Sequence, residues 1–305
     1  MSKALILTDG KAGHENQSKA FARALGLDFD LLPIRFRSKG AKIMSYLFDR
    51  LGRRTLSLFE PFPEPSGAYR AVIGTGSGVF YAVKSMARKL GIPGAVVLYP
   101  RGYDIKSFDC VLAPEFDNPP PAANIIPVPV NLVAADAAFY AAGVQAFGER
   151  HVRRDGAGAV AVIVGGPNKC AGMTASWMRA ELEKIFAENP GAEKWVTTSR
   201  RTPAEVETVI DSFPFDYKLV YSRDRFNPIP AFVSLASKLY VTAESTGMLS
   251  EACTHGSAEV KVLDNLKPGR HKFRRFAEAC ARLGSQKVDL SPQFAAARKL
   301  LALAD

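Results

Sequence analysis

The sequence has few cysteines, and their spacing forms no recognisable metal or disulfide motif. Four cysteines are scattered along 305 residues, and none belongs to a CxxC pair or to a cluster with histidine. This spacing argues against a zinc site and a disulfide framework, and it fits a reducing cytosol. No DxD-like metal site is evident either, so we predict a protein that needs no metal and no cofactor.

Long apolar runs and an apolar N-terminal leader are also missing. One of the longest apolar runs extends only from Ala159 to Val164, whereas a membrane-spanning helix needs ~20 residues. The first residues already have the pattern of a buried strand, so we expect no signal peptide. These absences predict a protein of the cytoplasm that is soluble or peripheral to a membrane.

Acidic residues are fewer than basic ones, and much of the basic excess lies in one segment. The chain has 40 Lys and Arg against 30 Asp and Glu, a net charge of +10, which favours a polyanionic partner. From Arg35 to Arg54 the only acidic residue among seven basic ones is Asp49. Apolar residues recur there at spacings near three and four, which is typical of helices on anionic membranes. The alternative is a helix packed on its own domain with a solvated basic face. Because aromatic and basic residues form no recognisable reading motif, we predict no nucleic-acid partner.

Short β-rich runs alternate with helical stretches along the whole chain, which predicts parallel sheets with helices on both faces. The length favours two such domains. We place the linker at the polar segment from Phe147 to Gly156, which gives domains of residues 1–150 and 151–305. The final helix, roughly Pro292 to Leu303, is a candidate to pack back on the first domain. Two facing doubly wound domains leave a cleft at the carboxyl ends of their sheets, where ligands bind in such folds.

The loop after the first predicted strand concentrates ionisable residues. It reads DGKAGHE from Asp9, and Gly10 and Gly13 permit a tight turn and close backbone approach. His14 is a candidate general base for an acceptor hydroxyl, because the unperturbed pKa of histidine is about 6.5. Asp9 and Glu15 are the alternative bases. The structural alternative is that His14 or Asp9 only caps the following helix.

Two further features of the first half are candidates to bind a phosphate or an anionic acceptor. The turn GTGSG from Gly74 lies between a predicted strand and a predicted helix, and it suits either a phosphate or a plain tight connection. Arg101 is a candidate contact to an anionic acceptor, or else a surface arginine that pairs with Asp104 or Asp109. The predicted acceptor and phosphate contacts are Gly10, Lys11, Gly13, Gly76, Ser77 and Arg101.

The stretch AESTGMLSEA from Ala243 follows an apolar strand and opens a helix. A helix N-terminus presents free backbone N–H groups and the positive end of the helix dipole, which suit a phosphate or diphosphate. Glu251, one to two turns inside the helix, is placed to face the same crevice, and a carboxylate there suits the paired hydroxyls of a ribose. The pattern therefore indicates a nucleotide sugar rather than a bare anion.

Two other loops are predicted to lie beside this turn. GGP from Gly165 and TTSRRTP from Thr197 each follow a predicted strand, and hydroxyls and arginines there suit a diphosphate. Thr202 before Pro203 is also a plain helix cap, and Tyr221 either flanks a nucleobase or packs. The predicted donor-binding residues are Gly165, Gly166, Pro167, Thr198, Ser199, Arg200, Arg201, Tyr221, Glu244, Ser245, Thr246, Gly247, Met248 and Glu251.

These motifs, in this order, carry a resemblance over nearly the whole chain. DGKAGHENQ from Asp9, GGP from Gly165, TTSRRTP from Thr197 and SEA from Ser250 resemble a family shared by proteobacteria and plants, the mitochondrial fission, elongated-mitochondria family. The second half also resembles the nucleotide-binding half of GT-B glycosyltransferases. The chain departs from their pattern in two places: STG from Ser245 replaces a Gly-Gly pair, and the first loop lacks a triple-glycine turn.

The resemblance implies a GT-B-like α/β fold of two Rossmann-like domains, with the donor nucleotide on the second and the acceptor on the first. It implies that Glu251 binds ribose, that Ser245, Thr246 and Gly166 approach the diphosphate, and that His14 is a catalytic base or acceptor contact. The predicted function is an inverting, metal-independent glycosyltransferase. It moves a sugar from a nucleoside diphosphate sugar to a lipid-linked or envelope-glycan acceptor at the inner face of the cytoplasmic membrane. The alternatives are a nucleotide-sugar 2-epimerase of the same fold and a non-catalytic membrane adaptor.

Overall fold

The computed structural model describes residues 2–133, 136–269 and 272–303. The chain divides into two compact units, one made of Met1–Ala134 with Asp289–Asp305 and the other of Ala135–Val288. Each unit contains a parallel β-sheet. The division falls earlier in the chain than the predicted boundary between residues 150 and 151.

The first unit folds into a parallel sheet because its inner strands contain apolar runs that are covered on both faces. The side chains from Ala4 to Leu7, for example, are at most 2% exposed. The elements up to residue 133 are β1 (Lys3–Thr8), α1 (Ala12–Ala24), β2 (Asp28–Pro33), α2 (Lys39–Arg50), β3 (Tyr69–Thr75), α3 (Phe80–Leu90), β4 (Gly94–Val97), β5 (Cys110–Pro114) and β6 (Ile125–Val128). The strand order is β2-β1-β3-β4-β5-β6.

The second unit has the same construction. The strand from Ala159 to Ile163 is at most 1% exposed, as expected for the centre of a parallel sheet. The elements are α4 (Ala137–Gly148), β7 (Ala159–Ile163), α5 (Ala175–Glu188), β8 (Glu193–Thr197), α6 (Ala204–Asp211), β9 (Tyr217–Leu219), α7 (Ile229–Leu235), β10 (Lys238–Thr242), α8 (Thr246–Thr254), β11 (Glu259–Leu263) and α9 (Lys272–Leu283). The strand order is β11-β10-β7-β8-β9.

Both sheets reverse their direction of growth in the middle. The chain leaves β1 to one side and continues from β3 to the other, and it does the same at β7 and β10. Ligands of doubly wound sheets bind outside the carboxyl ends of the strands at such reversals. The predicted class, a GT-B-like chain with two Rossmann-like doubly wound units, is confirmed. The loops at the two reversals are therefore the candidate ligand-binding sites.

Helix α4 belongs to a different unit from the one that the predicted boundary assigns, whereas the last helix belongs to the unit for which it was a candidate. Helix α4 packs in the second unit against α7, where a Cβ on Gly143 would lie 2.5 Å from the Cβ of Pro230. The last helix, α10 (Ser291–Leu300), belongs to the first unit. There Arg298 donates a hydrogen bond from Nη1 to the carbonyl oxygen of Leu25 at 2.6 Å.

The segment from Phe147 to Gly156, predicted as a linker, is docked on the second unit instead. The carboxylate of Glu193, which is fully buried at the start of β8, lies 3.0 Å from Nε2 of His151 and accepts hydrogen bonds from the Arg154 N–H and the Trp195 indole. Burial raises the pKa of Glu193, but these hydrogen bonds outweigh it and hold the pKa below its ordinary value. The linker prediction is wrong because polar groups of this segment bind a buried carboxylate of the second unit and hold the segment against it.

Candidate functional site

The first unit brings the loops after β1 and β3 into direct contact at the reversal of its sheet. A Cβ on Gly76 would lie 2.4 Å from Cε1 of His14, and a Cβ on Gly78 would lie 2.7 Å from Oδ2 of Asp9. Gly76 also has a φ of +86°, which side chains other than glycine rarely adopt. Gly76 and Gly78 of the GTGSG turn are therefore needed to make room for His14 and Asp9.

His14 and Asp9 form a hydrogen-bonded pair. Nδ1 of His14 lies 3.1 Å from both carboxylate oxygens of Asp9, and the ammonium of Lys11 lies 2.8 Å from Oδ2. Burial raises the pKa of Asp9, but the hydrogen bonds from Lys11 and the charge of His14 hold it below its ordinary value. An ionised carboxylate only accepts hydrogen bonds, so Nδ1 of His14 is the donor to Asp9, and in a neutral imidazole this leaves the lone pair on Nε2. This geometry is that of a base and the group that orients it.

Glu15, the other predicted base, is engaged elsewhere. Its carboxylate lies 2.7 Å from the ammonium of Lys19 and accepts a hydrogen bond from the hydroxyl of Thr8 at 3.2 Å. The hydrogen bond from Lys19 is the main cause that lowers the pKa of Glu15. Of the three candidate bases, His14 is therefore the one with the suitable geometry, and its catalytic role stays a prediction.

The remaining acceptor-side residues differ in their surroundings. Ser77 accepts a hydrogen bond from the ammonium of Lys42 at 3.0 Å, while Gly13 has open space around its Cα. Arg101 donates to the carbonyl oxygen of Asp117 at 2.7 Å and lies over the Tyr99 ring. Asp117 is thus the partner of Arg101, in place of the predicted Asp104 or Asp109.

In the second unit, the loops after β7 and β10 meet at the reversal of the sheet. The N–H of Gly165 donates to the hydroxyl of Thr242 at 2.9 Å, and the N–H of Gly166 donates to Oε1 of Glu244 at 2.7 Å. The hydroxyl of Ser245 donates to the same oxygen at 2.8 Å. Gly166 and Ser245, two groups expected at a diphosphate, are therefore bound to the carboxylate of Glu244.

The first N–H groups of α8 are the donors that this arrangement leaves available. Leu249 is the first residue of the helix whose N–H reaches a backbone acceptor, the carbonyl of Ser245. In the described part of the chain, the N–H groups of Thr246, Gly247 and Met248 have no backbone acceptor, as expected for the first turn of a helix. Gly247 is exposed. The main-chain donors that this turn leaves without a backbone acceptor thus lie at the helix start.

The loop after β8 joins the same cluster. Arg201 donates from Nη1 to the carbonyl of Gly166 at 3.1 Å, and Thr202 donates to the carbonyl of Gly165 at 2.6 Å. Thr202 does not cap α6, so that prediction is wrong. Thr198 accepts from the N–H of Tyr221 at 2.8 Å. The other predicted residues of these loops differ in exposure: Pro167 and Arg200 are exposed, and Ser199 is half-buried.

Glu251 lies in a half-buried position with a partner that sequence reasoning missed. The hydroxyl of Tyr140 donates to Oε1 of Glu251 at 3.1 Å, and the Tyr140 ring packs on His255 with centroids 4.5 Å apart. Burial raises the pKa of Glu251, and the hydrogen bond from Tyr140 offsets only part of that rise. Tyr140 is on α4, which the predicted boundary assigned to the other domain, so no sequence signal linked it to Glu251.

Solved structures of other proteins are similar to this one, and the two with a TM-score above 0.5 share its fold. A protein from Listeria monocytogenes assigned as a UDP-N-acetylglucosamine 2-epimerase is 11% identical, with a TM-score of 0.55 over 100% of this chain and 98% of that one. The UDP-GlcNAc 2-epimerase from Neisseria meningitidis bound to UDP-GlcNAc is 13% identical, with a TM-score of 0.51 over 98% and 91%. MurG from Acinetobacter baumannii is 13% identical, with a TM-score of 0.49 over 99% and 92%.

Comparison by sequence identifies the family more directly than comparison by structure. A search of curated proteins found no match. The profile of the family described as Mitochondrial fission ELM1 matches residues 12–288, a range that contains His14, the glycine pair after β7 and Glu251. The chain therefore belongs to the mitochondrial fission ELM1 family.

Proposed function

We propose that this protein binds a nucleoside diphosphate sugar in its second unit and transfers the sugar to an acceptor. The proposal rests on two features of one helix, α8. The N–H groups of Thr246 to Met248 have no backbone acceptor, and the carboxylate of Glu251 follows on the same helix. The helix start suits a diphosphate, and a carboxylate one to two turns further suits ribose hydroxyls. The UDP-GlcNAc bound by the Neisseria protein of the same fold supports this class of ligand.

In the proposed reaction, Nε2 of His14 accepts the proton of the acceptor hydroxyl. The hydroxyl oxygen then bonds to the anomeric carbon, while the bond from that carbon to the diphosphate oxygen breaks and its electron pair leaves with the nucleoside diphosphate. Asp9 stabilises the imidazolium that forms. The N–H groups of α8 and the guanidinium of Arg200 stabilise the leaving diphosphate in place of a metal ion. Attack opposite the leaving group inverts the anomeric centre.

A thermal-shift screen tests the proposal. We expect one nucleoside diphosphate from a panel of uridine, guanosine, adenosine, cytidine and thymidine diphosphates to raise the Tm. At a hundred times its Kd the shift should be roughly 5 °C or more. Nucleoside monophosphates are the control, since they lack the second phosphate. If no diphosphate shifts the Tm, both enzymatic functions fail and the adaptor role is favoured.

The products of the matching nucleotide sugar separate the two enzymatic functions. A glycosyltransferase releases nucleoside diphosphate only when a membrane extract supplies an acceptor, and mass spectrometry then detects a glycosylated product. A 2-epimerase instead changes the sugar of the nucleotide without any acceptor. Epimerised nucleotide sugar in the absence of extract would replace the transferase proposal with its alternative.

Helix α2 supports a membrane as the place of this reaction because, although its Tyr46 and Phe48 pack on the core, several of its other apolar side chains face outward. The buried residues of α2 are polar: Ser45 is 0% exposed and Asp49 is 2% exposed. Asp49 accepts a hydrogen bond from the ammonium of Lys84 at 2.7 Å and lies 3.3 Å from Arg54. The exposed apolar side chains on and directly after α2 are Ile43, Met44, Leu47 and Leu51.

Burial of Asp49 removes the only negative charge of the segment from the surface. The surface of α2 therefore combines exposed apolar side chains with basic ones such as Lys39 and Arg50, a combination that favours anionic lipid. In the described residues, no helix is long and apolar enough to cross a bilayer. We propose that α2 lies on the inner face of the cytoplasmic membrane and that the acceptor is lipid-linked or an envelope glycan.

Replacement of Arg50 and Arg53 by serine should weaken binding to vesicles of phosphatidylglycerol and phosphatidylcholine. At about 1 kcal/mol per basic residue near the surface, the loss is about thirtyfold, measured by co-sedimentation at fixed salt. The matched control is replacement of Arg70 and Arg88, which are exposed basic residues of the same unit outside α2. Equal losses in both variants, or no loss in the first, would contradict a docking role of α2.

A further inference from the structure

The carboxylate of Glu244 is fully buried where the strands of the second sheet end. Its Oε1 accepts hydrogen bonds from the N–H of Gly166 at 2.7 Å, the hydroxyl of Ser245 at 2.8 Å and the hydroxyl of Thr242 at 3.2 Å. Its Oε2 accepts from Nδ2 of Asn265 at 2.7 Å. These donors come from the loops after β7, β10 and β11, so one carboxylate connects three strand ends.

A bound anion would require the same donors. Main-chain N–H groups of a glycine loop, hydroxyls and an amide are the groups that hold phosphates and other oxyanions. A buried charge is costly unless it is hydrogen-bonded and paired, and here each oxygen of Glu244 has at least one donor. The site is therefore filled by a side chain of the protein itself.

Only glycine fits at position 165, because the carboxylate of Glu244 occupies the space of a side chain. A Cβ on Gly165 would lie 1.8 Å from Oε1 of Glu244, so any larger residue would displace the carboxylate. A Cβ on Gly166 would lie 2.2 Å from the carbonyl oxygen of Arg201. The glycine pair thus allows close packing of protein loops on each other, rather than direct approach of a phosphate.

Arg201 connects the loop after β8 to the same centre. Its Nη1 donates to the carbonyl of Gly166, and its Nη2 lies 3.8 Å from Oε1 of Glu244. The side chain of Arg201 remains 42% exposed, so the guanidinium is held at one edge and open to solvent elsewhere. Glu244 therefore also restricts the position of a cation that a diphosphate would use.

We propose that Glu244 is a built-in anion: a positioning residue that holds the loops after β7, β8, β10 and β11 in the geometry that receives the donor nucleotide. The proposal rests on the proposed nucleotide-binding function. It assigns the diphosphate itself to the start of α8 and to the arginines, and it assigns to Glu244 the task of keeping Arg201 and the Gly166 loop in place before the ligand arrives.

Chemical rescue tests this role. Glu244→Ala leaves the donors of the site unpaired around a cavity that a formate ion fits, so we expect a lower Tm that sodium formate restores and sodium chloride of equal ionic strength does not. The affinity for the nucleoside diphosphate should fall about tenfold or more, the equivalent of ~1.4 kcal/mol. It should recover over the same range of formate concentration. Wild-type Tm and affinity should not respond to formate.

Glu193→Ala is the matched control, because Glu193 is an equally buried, hydrogen-bonded carboxylate at the opposite end of the strands of the same sheet. It should lose stability and keep the nucleotide affinity of its folded fraction. Unchanged nucleotide affinity in Glu244→Ala would reduce Glu244 to a stabilising contact, and tighter binding would make it a competitor of the diphosphate. Either result overturns the proposal.

Two further measurements keep the test decisive. If Glu244→Ala does not fold, Glu244→Met keeps a side chain of similar length and removes both carboxylate oxygens that accept hydrogen bonds, and wild-type affinity in that variant overturns the proposal. If the wild-type chain binds no nucleotide, the proposed function fails. In that case, hydrogen exchange of the loops after β7 and β8 in Glu244→Ala, measured with and without formate, tests the positioning role by itself. If formate does not slow the exchange of these loops, the positioning role is overturned.

Discussion

Glu251→Gln is expected to weaken the binding of the nucleoside diphosphate by about ten- to a hundredfold, because hydrogen bonds to a charged group contribute roughly 1.5–3 kcal/mol. The glutamine keeps the size of the side chain and removes the charge that the two ribose hydroxyls would share. Isothermal titration calorimetry of the wild type and the variant measures the loss. Glu183→Gln, an exposed carboxylate of the same unit, is the control and should bind with wild-type affinity.

The pH dependence of this affinity gives a second measure. Burial raises the pKa of Glu251 above 4.5, and the ionised form is the one that accepts from ribose. Affinity should therefore be full above the raised pKa and decline as the pH falls through it. Tyr140→Phe removes a hydrogen bond that lowers this pKa, so the decline should move to higher pH. Equal affinity of wild type and Glu251→Gln at every pH would remove Glu251 from the ribose role.

His14→Gln is expected to lower kcat by about 10²–10⁴-fold, the usual contribution of a positioned general base. The nucleotide affinity should be unchanged, because His14 is proposed to contact the acceptor hydroxyl and not the nucleotide. Asp9→Asn should also lower kcat, because an asparagine amide no longer enforces the tautomer of His14 in which Nε2 is unprotonated. Release of nucleoside diphosphate in the presence of membrane extract measures both variants.

Glu15→Gln is the matched control for this pair of variants. Its carboxylate lies on the same helix and pairs with Lys19, so its loss should change kcat by only a few-fold. If Glu15→Gln loses as much activity as His14→Gln, the base is Glu15 or the loop acts as a unit. Full activity in His14→Gln would exclude His14 as the base.

Sequence patterns located nearly all of the strands and the loops that follow them. Apolar runs such as Ala159 to Val164 are buried strands, and in a parallel sheet the turns after them gather at one edge. The loops that carry His14, Gly166 and Ser245 were found in this way. Asn265, which follows β11 and binds Glu244, obeys the same rule and was missed because its loop has no small-residue motif.

Partners within these loops were beyond the reach of sequence patterns. The patterns indicated a phosphate at Gly166 and Ser245, but the carboxylate of Glu244, one residue before the turn, reaches these donors first. Whether a side chain or a ligand fills such a site depends on rotamers and on loop contacts to within an ångström. Tyr140 was missed for a related reason, because the helix that carries it was assigned to the other domain.

The sequence by itself determined the doubly wound class, the positions of the strand-end loops and the residues that share each face of α2, because these follow from local periodicity and from the steric freedom of glycine. Only the tertiary structure decided which face of α2 is buried, since that depends on Lys84 of α3 pairing with Asp49. It also decided that Glu244 occupies the anion site and that Tyr140 contacts Glu251. Periodicity specifies faces, whereas burial and pairing depend on residues that are distant in the chain and close in space.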